Sequence, residues 1–347
     1  MPHNSRRKKI RRRIRWNRIF ACLFSALLLS VGTALLIQVS NELSYSAADA
    51  AESDISRESS ASLPEDAAPS AGQQAVLPEG WEWAAIPEES LYTGPLILVN
   101  ADYAYQAGTE APVSVFDYKT RSYQVKDKNV TMMEEAILAL NDMMDAFYAK
   151  SGLSDVLLVS GWRDPALQQE LYEDDLSETG RSQSTLVAIP GHSEHHTGLC
   201  LDFGLMPSEN GESRTYDGTG AYAWLNENCA DYGYVVRYPA DKTDITKIEY
   251  EPWHFRYVSK PHAQIMTETS DGLCLEEYIE LLKQYPLDGE HLRFQDYEIC
   301  WQQPQQTENG LRIAVPADRD YTISGDNTGG IILTISGSGS NDNSSRG

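Results

Sequence analysis

The spacing of apolar residues changes several times along this chain, and each change predicts an element. From Thr131 to Lys150 they recur at helical intervals, in the run MMEEAILALNDMMDAFYAK, so a helix with a core-facing stripe is expected. Val156 to Ser160 is a short apolar run that reads as a strand, and Pro165 to Tyr172 reads as a helix with proline in its first turn. Tyr234 to Arg237 and Phe255 to Val258 read as strands flanking a loop, Tyr238 to Ile248, and Leu275 to Leu282 as a helix. Beyond Pro286 the pattern becomes short β segments, Tyr297–Trp301, Leu311–Val315, Tyr321–Ser324 and Ile331–Ile335, separated by the turn signals Glu308-Asn-Gly310 and Gly325-Asp-Asn327. The expected fold is α+β: a small antiparallel sheet with flanking helices, plus a C-terminal β appendage. Four short strands make a thin core, so the appendage is expected to pack on the rest.

The two ends of the chain follow different rules. Residues 19–39 are an uncharged apolar run of 21, long enough to span a bilayer, and residues 1–18 hold nine Lys or Arg and no acid. This predicts a basic cytoplasmic tail, a single transmembrane anchor at the cell membrane and an extracellular remainder. The length favours an uncleaved anchor, while Ala48-Asp-Ala50 leaves cleavage open. Residues 40–84 are rich in Ala, Ser and acid and are expected to form a disordered stalk; residues 337–347 are expected to be a disordered tail. Between them lie an expected catalytic domain, 85–286, and the β appendage, 287–336. Removing the nine N-terminal basic residues from a net charge of −23 leaves −32 on residues 19–347, which excludes nucleic acid as a partner.

Two short stretches hold the candidate chemistry. PGHSEHHTGLCLDFG contains His195 and Asp202, and Glu251-Pro-Trp-His254 follows some fifty residues later. A hydrolytic zinc centre takes three protein ligands from His and carboxylate and keeps one position for water. His195, Asp202 and His254 meet that requirement, and Glu251, beside the third ligand, is the natural general base. The helical HExxH arrangement is absent, so the ligands must converge from separate segments. Read singly, each is ordinary: a loop histidine, a turn-capping Asp, an exposed Glu. Their coincidence, around a proline that would interrupt a central strand, argues for a site.

Three ordered motifs carry a family resemblance. Ser160-Gly-Trp-Arg163, Ser193-Glu-His195 through Gly198 to Asp202, and Tyr250-Glu-Pro-Trp-His-Phe-Arg-Tyr257 resemble the signatures of VanY-type D-alanyl-D-alanine carboxypeptidases. The similarity extends over most of residues 95–285. It implies the same zinc ligands and base, and a peptidoglycan stem peptide as substrate. It further implies that Arg163 holds the scissile carbonyl and its developing oxyanion, that Gln168 lines the site and that Ser193 contacts the substrate's terminal carboxylate. A permanently charged guanidinium suits that task. Arg163 could otherwise be a surface partner of Asp164 or Glu170, Gln168 a solvated helix position and Ser193 a turn hydroxyl. The chain departs from the family pattern at Trp162, Asp164, His196 and Cys200; none of these removes a ligand or the base. In a strand Cys200 would share the face of Asp202, where a thiolate can bind zinc; it is read as a small buried apolar residue.

Cys22 lies in the anchor, and the spacing of Cys200, Cys229, Cys274 and Cys300 selects no disulfide pairing, so buried free thiols are expected. A serine carboxypeptidase would need Ser-Xaa-Xaa-Lys, found only as Ser5-Arg-Arg-Lys8 in the basic tail, and no signature surrounds Cys200 for a Cys-His hydrolase. The remaining alternatives are a cell-wall endopeptidase with the same zinc chemistry and a nonenzymatic wall-binding or sensor protein.

Overall fold

The computed structural model describes residues 77–337, apart from 107, 109, 209, 213, 271 and 309. The expected basic tail, the 19–39 anchor, most of the stalk and the tail from 338 onward lie outside the described residues. Among the described residues no helix is long and apolar enough to cross a membrane.

A five-stranded sheet forms the centre. Its strands are β2 (Gln124–Val125), β3 (Val156–Ser160), β4 (Cys200–Leu205), β5 (Tyr234–Val236) and β6 (His254–Tyr257), in the spatial order β2-β3-β4-β6-β5. The β2–β3 edge is parallel and every other pair is antiparallel. Helix α1 (Glu134–Ser151) covers one face with Ala136, Ile137, Leu140, Met143, Met144 and Phe147, a spacing of three and four residues that makes one stripe. Gly152, in the left-handed region at φ 72°, ends the helix by donating its N–H to Tyr148 O.

The helix begins three residues later than the apolar spacing predicts. Thr131 O accepts the Trp162 N–H, Met133 N–H donates to Gly198 O, and Thr131–Met132 pair with Val113–Ser114. Those backbone groups are committed to holding two loops and cannot join a helix. Helix α2 (Pro165–Thr179) runs longer than expected; Asp164 caps it by accepting the Leu167 N–H at 2.8 Å.

The C-terminal β region contains a strand from the other end of the chain. One sheet has the order β11 (Tyr321–Gly325), β12 (Ile331–Ser336), β8 (Tyr297–Gln302), β7 (Leu292–Phe294). The second is β1 (Trp81–Ile86), β10 (Gly310–Pro316), β9 (Gln305–Thr307). Residues 81–84, expected in the disordered stalk, and 85–86, expected in the catalytic domain, instead form a strand in antiparallel register with β10, from Trp81↔Pro316 to Ile86↔Leu311. Ile86 joins Ile313, Val315, Leu333 and Ile335 in the core between the sheets.

The region packs on the catalytic part through helices α3 (His262–Glu268) and α4 (Leu275–Leu282). Ile265, Met266, Tyr278 and Ile279 share a buried cluster with Ile299 of β8 and Ile332 of β12. Buried polar contacts fix the contact: Leu96 N–H donates to Ser324 Oγ at 2.9 Å, and Asn327 Nδ2 donates to Leu98 O at 2.7 Å. His262, 2 % exposed, lies between Tyr278 OH (2.7 Å) and Thr334 Oγ1 (2.8 Å).

Burial lowers the His262 pKa from 6.5 to about 3. A histidine held neutral in the fold but free to protonate when unfolded contributes stability that is full above pH 6.5 and is lost as pH falls toward 3. The stability advantage of wild type over His262→Gln is expected to shrink by about 2 kcal/mol between pH 7 and pH 5, read from urea unfolding at both pH values. A pH-independent difference would refute the burial of a neutral imidazole.

Candidate active site

The register of two neighbouring strands sets the site. Asp202 on β4 lies opposite His254 on β6, and Cys200 lies opposite Arg256. Alternation along each strand puts these four on one face, while Leu201, Phe203 and Phe255 point into the α1 core. Arg237, just past β5, donates its N–H to His254 O and extends the row. Asp202 thus sits within a strand. His195 enters from a short 3-10 turn, Glu194–Thr197, closed by Gly198 at φ 70°. A side chain at Gly198 would crowd Met133, with a Cβ 3.2 Å from Met133 Cγ.

Asp202 joins the two expected histidine ligands with one oxygen each. Its Oδ2 is 3.2 Å from His195 Nε2 and its Oδ1 is 2.9 Å from His254 Nδ1. Glu251 Oε2 lies 3.8 Å from the same His254 Nδ1. His195 Nδ1 is 2.6 Å from Gly161 O, so Nδ1 carries a proton and Nε2 is the nitrogen turned to Asp202. The carbonyl reaches it because residue 161 has no side chain; a Cβ there would stand 2.4 Å from Thr131 O. Asp202, Glu251 and His254 bring donor atoms within 4.8 Å of one another, and so do His195, Cys200 and His254. Two imidazoles, two carboxylates and a thiol, all buried, are a donor set that fits a divalent cation such as zinc.

The remaining expected residues surround these. Arg163 NH2 is 2.5 Å from Asp202 Oδ2, Arg163 Nε donates to Ser160 Oγ at 2.9 Å, and its backbone N–H donates to His195 O. It is therefore a partner of the site; Asp164 serves α2 instead. Gln168 is buried, accepts from Arg163 NH1 at 3.4 Å and donates to Ala188 O at 2.7 Å, so it is no solvated helix position. Ser193 is buried and accepts the His195 N–H through Oγ at 3.3 Å, capping the turn. His196 faces away, with Nδ1 2.8 Å from Arg163 O and Nε2 accepting the Gly191 N–H.

The environments of the acids differ sharply. Burial raises the Asp202 carboxyl, but His195 and Arg163 outweigh it and hold the group well below the usual carboxylate range. For Glu251 burial prevails, reinforced by Asp202 and only partly offset by His254, and pushes it up to about 8. Burial also raises the Cys200 thiol, yet His195 and His254 bring it down to about 7.

A buried ion cluster beneath the site was not anticipated from the sequence. Glu194 Oε1 accepts from Arg237 Nε (2.7 Å) and Arg256 NH1 (2.8 Å), and Arg237 also pairs with Glu276 at 2.7 Å. Arg256 NH2 donates to Ile97 O at 2.9 Å. The other Glu194 oxygen lies 3.6 Å from His254 Nε2, and neither atom has a hydrogen-bond partner. The available signal was Arg256 between Phe255 and Tyr257, a charge on an otherwise apolar strand.

Residues 129–260 match the family described as VanY, D-alanyl-D-alanine carboxypeptidase. The chain is 34% identical over 273 residues to a D-alanyl-D-alanine carboxypeptidase of Enterococcus faecium, covering 77% of this chain and 84% of that protein. It is 41% identical over 133 residues to the bifunctional D-Ala-D-Ala dipeptidase and D-Ala-D-Ala carboxypeptidase VanXYC of Enterococcus gallinarum, covering 38% of this chain and 69% of that one. In structure it resembles the vancomycin resistance D,D-dipeptidase VanXYg, crystallised with a D-Ala-D-Ala phosphinate analog, with a TM-score of 0.62 and 30% identity over 74% of this chain and 99% of that one. With the family match and a relative this similar over most of its length, the chain belongs to the VanY family of D-alanyl-D-alanine carboxypeptidases.

Proposed function

We propose that this protein is a zinc-dependent carboxypeptidase that removes the terminal D-Ala from peptidoglycan stem peptides. The observation that carries the reading is the convergence of His195, Asp202, His254 and Glu251, from three segments, on one buried polar sheet face. His195, Asp202 and His254 would hold the zinc ion, which when bound would acidify a water and polarise the scissile carbonyl. Glu251, kept basic by burial, takes the proton of the attacking water and returns it to the leaving amine. Arg163, anchored by Ser160 and Gln168, stands beside Asp202 where its charge can offset the developing oxyanion. Ser193, at the head of the His195 turn, is assigned to the substrate's terminal carboxylate. Glu194, with one oxygen fixed by two arginines and the other facing His254 Nε2, is assigned to orient that imidazole so that Nδ1 faces the metal. The N-terminal apolar run and its basic flank support a membrane-anchored enzyme acting outside the cell.

A synthetic pentapeptide ending in D-Ala-D-Ala is expected to lose one alanine by mass spectrometry, and to stay intact after chelation until zinc is restored. Release of a dipeptide would overturn single-residue removal, and cleavage only inside cross-linked dimers would overturn the exo assignment; a chelator-insensitive product would overturn the metal.

Glu251→Gln should retain one zinc per chain and lose about 10²–10⁴-fold in kcat. Because the base works deprotonated, activity should fall as pH drops through its pKa. Burial places the acid limb of kcat/KM above the ordinary 4.5, and the metal's charge keeps it below about 8. An acid limb at or below pH 4.5 would exclude Glu251 as the titrating base.

Glu194→Gln should weaken zinc binding about 10–100-fold, measured by competition with a chromophoric chelator, while His254→Ala abolishes stoichiometric zinc. Unchanged affinity in Glu194→Gln would remove its positioning role.

A further inference from the structure

Cys200 stands on β4 two residues before Asp202, so the pleat turns its thiol toward the same polar face. It is fully buried and in no disulfide. Its sulfur, a nitrogen of His195 and a nitrogen of His254 lie within 4.8 Å of one another, a donor group that uses both imidazoles but not Asp202. His254 belongs to both donor groups, with Asp202 and Glu251 in one and with His195 and Cys200 in the other. Nδ1 is 2.9 Å from Asp202 Oδ1, whereas Nε2 is buried without a hydrogen-bond partner. A buried thiol grouped with two buried imidazoles matches the N and S donors that thiophilic cations select.

We propose that the centre has a second, thiolate mode of metal binding, in which a thiophilic divalent cation is held by Cys200 Sγ together with His195 and His254. It rests on the reading of His195 and His254 as metal ligands. The cation replaces the thiol proton, which leaves to solvent, and no oxidation or reduction occurs. Such a mode favours Cd²⁺ and Co²⁺ over a hard ion such as Mn²⁺. Among the described residues no other cysteine falls in a potential metal-binding group, so any sulfur donor is assigned to Cys200.

The test uses the full chain, stripped of metal and titrated with Co²⁺, alongside Cys200→Ala. Wild type is expected to develop an intense near-ultraviolet sulfur-to-cobalt charge-transfer band. Cys200→Ala should bind one Co²⁺ without that band and lose about tenfold or more in Cd²⁺ affinity, the scale on which even outer-shell partners alter binding. X-ray absorption at the cobalt edge of the wild-type protein reads the sulfur directly, whether or not the variant folds. Stoichiometric Co²⁺ with no sulfur in its shell overturns the thiolate mode and leaves the zinc reading intact. Failure of wild type to bind Co²⁺ at all, by elemental analysis, overturns both.

Discussion

The site depends on one cross-strand pair. Asp202 faces His254 because β4 and β6 run antiparallel in a register that also sets Leu201 against Phe255. The two requirements are inseparable: the same alternation that sends Leu201, Phe203 and Phe255 into the α1 core sends Cys200, Asp202, His254 and Arg256 to the polar face. A slip of one residue would bury the carboxylate in the apolar core and expose the aromatic side chains, so core packing enforces donor geometry. Asp202 therefore needs no loop to place it. The loops contribute His195 and Glu251, which are tied back by Gly161 O and by the Glu251 N–H donated to Tyr238 O.

A polar sheet face within a folded protein must be neutralised, and the Glu194–Arg237–Arg256–Glu276 cluster does this. Arg237 and Arg256 are among the most completely buried side chains in the molecule. Burying such charges costs several kcal/mol each before pairing, and replacing the whole cluster by apolar residues could be neutral for stability. Its value lies in geometry. Glu194 adjoins His195 in sequence and faces His254 in space, so the paired arginines brace the region between both imidazoles. Arg256 also reaches Pro95 O and Ile97 O at 3.1 and 2.9 Å, which ties this region to the segment that meets the C-terminal sheets through Leu96 and Leu98.

Much of this was legible in the sequence, for identifiable reasons. The α1 stripe and the strands around Val156 and Tyr234 are local patterns, and the His195, Asp202, Glu251 and His254 quartet has a donor chemistry that survives without coordinates. What escaped depended on distant contacts. Trp81–Ile86 looks like the end of a polar linker until its partner, some 230 residues later, supplies the other half of the ladder. The start of α1 shifted because Thr131 O and Met133 N–H bind Trp162 and Gly198, neither of which is near in sequence. The pairing of Glu194 with Arg256 and Arg237 has no local signal, because the partners come from separate segments. Cys200 was placed on the correct face, but its proximity to both histidines requires the folded turn at 194–197.

The two acidic residues of the centre show how environment divides labour between like side chains. Asp202 and Glu251 both lie close to His254 Nδ1, yet one is held far below and the other pushed well above the ordinary carboxylate range. Asp202 has Arg163 and His195 against it, which outweigh burial; Glu251 has mainly burial and the negative charge of Asp202 itself. An acid that stays ionised suits a cation's ligand, and one that gains and loses a proton near neutrality suits a base. The proposed roles of ligand and base accord with this difference in environment.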